Sequence, residues 1–305
     1  MISIFKPVRG LAACACLCFS LSANAQIMDQ NNLIAPGAKV ELLGGGYAFT
    51  EGPVADKKGN VFFTDQPNDK ILRWDAKTGE ITTFSDKSGR SNGMYFDKKG
   101  RLITCADEEN QLWSFDKKGN HTLIGEKYDG KLLNGPNDLW LDAAGGIYFT
   151  DPLYKRPYWK RDPAMQQDGQ HVYYLSPDRS TITRVTDALN KPNGIVGTAD
   201  GKKLYVADIG ASKTYVFDIT GQGQISNKKL FAEMGSDGMT LDSKGNLYLT
   251  GNGVTVFDPT GNKIAYIPVH QGWTANICFG GKKNDMLFMT AQKSVYGLKM
   301  NVKGN

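Results

Sequence analysis

Short apolar runs alternate with turns rich in Asp, Lys and Gly along most of this chain, and their order repeats. Six segments align: EGPVADKKGNVFFTD (51–65), NGMYFDKKGRLITCA (92–106), NDLWLDAAGGIYFTD (137–151), NGIVGTADGKKLYVAD (193–208), DGMTLDSKGNLYLTG (237–251) and NICFGGKKNDMLFMTA (276–291). Each begins with a polar residue, continues through an apolar run and a turn, and ends in a second apolar run, so each predicts a hairpin. Runs such as KILRWDAKTGEITTF (70–84) and HVYYLSPDRSTITRV (171–185) follow most hairpins and add a third and fourth strand. The leading residues Glu51, Asn92, Asn137, Asn193, Asp237 and Asn276 are 41, 45, 56, 44 and 39 residues apart. Four-stranded antiparallel units at that period predict an all-β, six-bladed β-propeller. The sixth repeat has strands around 286–291 and 294–300 but no fourth, and KVELL (39–43) is placed to supply it and close the ring. Residues 26–38 then read as a loose leader ahead of a propeller domain spanning 39–305. No apolar period of 3.6 is sustained, so no long helix is expected.

The first 25 residues change the picture of composition. Lys6 and Arg9 precede the apolar run Leu11 to Leu21, and Ala23-Asn24-Ala25 forms a small-x-small cleavage site. This is the pattern of an export signal cut after Ala25, and it predicts a periplasmic or secreted protein. The run is too short for a spanning helix. Lipid anchoring through Cys14 is the weaker reading, because Arg9 leaves almost no apolar segment ahead of that cysteine. Removing 1–25 leaves Cys105 and Cys278, which are neither a disulfide framework nor a zinc site. It also lowers the formal charge from +5 to +3. With no basic block, a nucleic-acid partner is not expected. Oligomeric state has no signature in the sequence.

Chemistry enters with the six leading residues. The first strand of each blade lines the central channel of a propeller, so these anchors should ring one mouth of it. Asn or Asp before Gly caps turns in many proteins, but turn capping accounts neither for Glu51 nor for six polar side chains converging on one axis. Two carboxylates in such a ring repel, and a shared proton or a bound cation relieves them. Carboxylate and amide oxygens without Cys or His suit one hard divalent ion, Ca²⁺ first, with Mg²⁺ or Mn²⁺ open. Zn²⁺ usually takes nitrogen or sulfur ligands and ranks last.

The motifs EGPVAD, GPNDLWLDAAGGIYFTDP, KPNGI, SDGMTLD and NICFGG resemble, in this order, those of the gluconolactonase, regucalcin and diisopropylfluorophosphatase family of six-bladed propellers. The resemblance covers about residues 40–300. It implies a channel metal held by Glu51, Asn137, Asn193 and Asp237, with Asp237 also the general base. It implies hydrolysis of a sugar-acid lactone, the cation polarising the carbonyl, with Asn137 also near substrate. The regucalcin-like branch has a substrate-contacting arginine two places before its GPND-type asparagine, where this chain has Gly135. That contact is therefore absent or supplied from elsewhere.

Asp151, Tyr154, His270 and Trp273 are further candidates for substrate contact. Asp151 ends the second strand of the third repeat, and His270 and Trp273 precede the sixth anchor. Tyr154 lies in LYKRPYWKRDPAMQQDG (153–169), an insertion that accounts for the longest anchor spacing. Its aromatics and cations suit either a lid that stacks on sugar and attracts an acid group, or a solvated basic loop. No G-x-S-x-G elbow is present, and among the three histidines His171 reads as packed in a blade. Three other readings stay open: the same metal acting on aryl esters or phosphoesters, a non-catalytic sugar-binding propeller, and an isomerase or lyase on this scaffold.

Overall fold

The computed structural model describes Ile2 and residues 26–305, so the export-signal reading of 1–25 lies, Ile2 apart, outside the described residues. Six antiparallel sheets form the blades of the predicted propeller. The first runs Thr50–Ala55, Val61–Asp65, Lys70–Trp74 and Ile81–Ser85 in spatial order. The sixth is completed by Glu41–Gly45, which pairs antiparallel with Ser294–Lys299 and closes the ring. The helical elements among the described residues are two short 3₁₀ turns, Gln66–Asn68 and Asp107–Glu109.

Hairpin turns follow from local chemistry. Asp56 Oδ1 accepts the amides of Lys58 and Asn60, while its Oδ2 accepts the Asn60 side chain. Asp116 with Asn120 and Asp258 with Asn262 repeat the device. Gly59, Gly119 and Gly261 turn the chain at φ of +83°, +85° and +90°, a region glycine enters without steric cost. Apolar residues on alternate strand positions pack blade against blade. Val61, Phe63 and Trp74 of the first blade, for example, meet Phe288 and Val295 of the sixth.

The leader is not loose. Met28–Asp29 adds a fifth strand to the outer edge of the fifth blade, and the Asp29 carboxylate accepts the amides of Leu33 and Ile34. Leu33 is 1% exposed, among core residues of blades five and six. One buried apolar residue and one carboxylate cap are too small a signal to stand out from a 13-residue stretch without periodicity.

Close approach at the axis positions everything else. The residue after the anchor is glycine in four blades, and a neighbouring blade's anchor fills the space of its missing side chain. A Cβ at Gly93 would lie 2.7 Å from the Asn137 carbonyl oxygen, and one at Gly194 would lie 2.9 Å from that of Asp237. At Gly52 it would lie 2.9 Å from the carbonyl carbon of Asn92 and closer still to its oxygen, and Gly52 has φ +47°. Gly52→Ala is therefore expected to lower unfolding free energy by about 2–4 kcal/mol, combining left-handed strain with a backbone clash. Gly79→Ala, at φ +75° with no atom near the new methyl, should cost only about 1–2 kcal/mol. Denaturant titration of the two variants measures the difference, and equal losses would contradict the close-packed axis.

Candidate functional site

The six anchors meet at one end of the channel. Gly93 N–H donates to the Asn137 carbonyl at 2.7 Å, and the Asn276 side chain fills the space beside Gly238. Glu51, Asn92, Asn137, Asn193 and Asn276 are all buried, Glu51 at 2% and Asn193 at 1% exposure. Asp237 lies deep among protein atoms but keeps part of its surface open to the mouth. Beneath the ring the channel holds a cavity of about 270 Å³, walled by Val54, Leu139, Ile195 and Met239 together with Asp138 and Asn276.

Hydrogen bonds fix the orientation of two members of the ring. Asn193 Nδ2 donates to Asp237 Oδ1 and to the Tyr154 hydroxyl, both at 2.8 Å. Asn193 Oδ1 is buried with no partner. Trp273 Nε1 donates to Asp237 Oδ2 at 2.7 Å, so a tether holds each carboxylate oxygen of Asp237. Glu51 Oε2 accepts the amide of Gly52 at 2.7 Å.

A third carboxylate joins them. Asp138 occupies the post-anchor position of the third blade, where four other blades have glycine, and its side chain lies against Gly93. Asp138 Oδ1 accepts the amide of Leu139 at 2.9 Å, and the Asn276 amide faces both Asp138 and Glu51. Burial raises the Glu51 carboxyl well above the ordinary carboxylate range, and the charge of Asp237 raises it further. Burial likewise pushes Asp138 up to about 7, and raises Asp237 against the opposing pull of Trp273, Asn193 and Arg156.

These donors fit a hard divalent cation. Glu51 and Asp237 supply negative charge where their mutual repulsion needs offsetting, and the orphaned Asn193 Oδ1 is a neutral oxygen that lacks a donor. No group of three or more His, Cys, Asp or Glu side chains forms a metal cluster among the described residues. The candidate set is instead a mixture of two carboxylates with asparagine oxygens, which suits Ca²⁺ better than a softer ion.

Asp151 faces elsewhere. It is fully buried, and its two oxygens accept the amides of Asn134 and Gly135 at 2.8 Å each. The expected substrate contact is thus replaced by a clamp on the loop that delivers Asn137. Asp65 accepts the amides of Ala48 and Phe49 ahead of Glu51, and Asp208 those of Asn190 and Lys191 ahead of Asn193. Three of the four proposed ligand loops are therefore held the same way.

Residues 153–169 reach the ring. Tyr154 touches Asn193, while Asn134 Oδ1 accepts the amides of Gln166 and Gln167 and ties the segment to the third blade. Lys160 N–H donates to Glu108 Oε1 in the second-blade region. A Cβ on Gly135 would meet Asp107 Oδ1 at 2.5 Å and Arg161 Nη2 at 2.8 Å. The insertion thus brings a guanidinium beside Gly135, although Arg161 is spent on the Asn134 carbonyl and Asp107. His270 is exposed, and no contact ties it to Asp237 as Trp273 is tied. His171 is buried in its strand, with Nε2 3.0 Å from Asp168.

Comparison with known proteins places the chain. Residues 49–293 match the family model described as SMP-30/Gluconolactonase/LRE-like region. A gluconolactonase of Zymomonas mobilis is 26% identical, over 87% of this chain and 82% of that protein. A diisopropyl-fluorophosphatase of Loligo vulgaris is 29% identical, over 70% and 76%. A solved structure of a gluconolactonase from Xanthomonas campestris superposes with a TM-score of 0.81 and 27% identity, covering 90% of this chain and 98% of that one. An axis built from six such repeats, together with a family match over most of the chain, gives its membership: it belongs to the SMP-30/gluconolactonase/LRE-like family.

Proposed function

We propose that the protein is a lactonase that hydrolyses a sugar-acid lactone at the anchor ring, with one divalent cation, Ca²⁺ in the first instance, held by Glu51, Asn137, Asn193 and Asp237. The observation that carries the proposal is the pairing of crowded, buried carboxylates with the orphaned oxygen of Asn193. Relatives named for gluconolactonase activity support the choice of reaction. The proposal includes export directed by residues 1–25.

When bound, the cation supplies Lewis-acid polarisation of the lactone carbonyl. The chain's own residues do the rest. Asp237, held in one orientation by Trp273 and Asn193, accepts a proton from the water whose oxygen attacks the carbonyl carbon. The ring C–O ester bond then breaks, and the leaving alkoxide takes up a proton to give the open hydroxy acid. Asp237 must be ionised to act, and its two hydrogen-bond donors and Arg156 favour that form against burial. Tyr154 and Trp273 offer aromatic surface at the mouth for the sugar and limit entry of bulk water.

A second reading keeps the site but uses it on phosphoesters, because one relative is named for that class of substrate. A panel of lactones and phosphotriesters separates them, and faster phosphotriester turnover would favour the second.

Glu51→Gln and Asp237→Asn are expected to abolish calorimetric Ca²⁺ binding and to lower lactone turnover by about a hundredfold or more. Undiminished turnover in either would sink the proposed ligand set. The raised carboxyls also set a pH dependence. Glu51, Asp138 and Asp237 bind protons more tightly folded than unfolded, so their contribution to stability is full below the ordinary carboxylate range and lost as pH rises toward 7 and beyond. Cation-free protein should therefore melt at a lower temperature at pH 8 than at pH 5.5, and added Ca²⁺ should restore most of the loss. A melting temperature indifferent to Ca²⁺ at pH 8 would count against the site.

A further inference from the structure

Two side-chain cations stand at the mouth beside the ring, and the proposed chemistry uses neither as a proton carrier or ligand. Both approach the Tyr154 ring: the Arg156 guanidinium carbon is 5.1 Å from its centroid and Lys191 Nζ is 3.8 Å from it. The Tyr154 hydroxyl in turn accepts from Asn193, which is bonded to Asp237. One aromatic ring thus couples both cations to the reacting end of the site.

Their partners are incomplete. Arg156 Nε is buried without an acceptor, and the nearest carboxylate, Asp107 Oδ2, is 3.9 Å away, beyond hydrogen-bond distance. Asp107 is shared with Arg161 and Gln66. Arg156 also faces Asp237. Lys191 makes no ion pair among the described residues, and its backbone is pinned by Asp208. If a divalent cation offsets Glu51 and Asp237, as the lactonase reading holds, Arg156 and Lys191 are left as excess positive charge around Tyr154. An arginine with a buried, unpaired donor next to a second cation is an arrangement that gains energy when a carboxylate or phosphate arrives.

We infer that the substrate is an acidic lactone, bearing a carboxylate or similar anionic group away from the scissile ester, and that Arg156 and Lys191 bind that group beside Tyr154. The γ-lactones of gluconic and glucaric acid form a matched pair of probes, differing only in a terminal hydroxymethyl or carboxylate. The wild-type enzyme should show a kcat/KM about tenfold or more higher for the glucaric lactone, and rising salt should erode the preference. In the double variant Arg156→Gln, Lys191→Gln the ratio of the two kcat/KM values should fall about tenfold, with Arg156→Lys between. A merely structural role for these residues would lower both rates together and leave the ratio unchanged, and that result overturns the inference, as would a wild-type preference for the neutral lactone.

A second readout separates this idea from the reaction itself. Calorimetry with methyl glucuronide and methyl glucoside, which have no lactone to open and differ only in a carboxylate or hydroxymethyl, should show the glucuronide binding more tightly to the wild type, with that difference lost in the double variant. Turnover of neither lactone would overturn the lactonase reading, while the anion site would still stand or fall on that binding difference.

Discussion

Six first strands converge on one axis so closely that there is no room for a Cβ between several of them. Gly52, Gly93, Gly194 and Gly238 follow from that constraint, since each has a neighbouring blade's anchor in the space a side chain would take. The same closeness brings Glu51, Asp138 and Asp237 together away from bulk water, where burial and mutual repulsion raise their proton affinity. Fold and electrostatics are therefore one problem: packing that closes the ring also crowds carboxylates that a shared proton or a bound cation would relieve. An Asn-Gly or Asp-Gly pair that would be an ordinary turn in isolation becomes, in this ring, a polar head and the space for its neighbour.

The rigidity of the site comes from the outer ends of the second strands. Asp65, Asp151 and Asp208 each receive two backbone amides from the loop entering the ring, so Glu51, Asn137 and Asn193 are presented by clamped segments. Blade five has no such aspartate, and there Asp237 is held directly by Trp273 and Asn193. The insertion 153–169 adds what repetition does not provide: an aromatic cap and cations at one side of an otherwise symmetric mouth.

Repetition made the architecture readable. Polar-apolar alternation with Asp-rich turns marks every hairpin, and equivalence among repeats singles out Glu51 and Asp237 because they replace asparagine. Residues that break or extend the pattern were harder. Asp138 lies one place past the anchor, and its signal is a carboxylate where four repeats have glycine. Asp151 ends the second strand of the third repeat, a position that alone does not separate a substrate contact from a structural role. Its recurrence in FFTD, YFTD and YVAD points instead to the clamp. Leu33 secures the leader by packing among residues of blades five and six far along the chain, and Asp29 adds a local cap, so no periodic pattern marks the segment. Arg156 and Lys191 are 35 residues apart in sequence and meet only because Tyr154 folds over Asn193.

The central claim is that the carboxylates of this ring act through a divalent cation on a lactone. Hydrolysis of a sugar-acid lactone by chelator-stripped protein, measured before and after reloading with Ca²⁺, tests it most directly. Turnover should disappear on stripping and return in proportion to occupancy as Ca²⁺ is added back. Full turnover in protein shown to be free of divalent metal would contradict it.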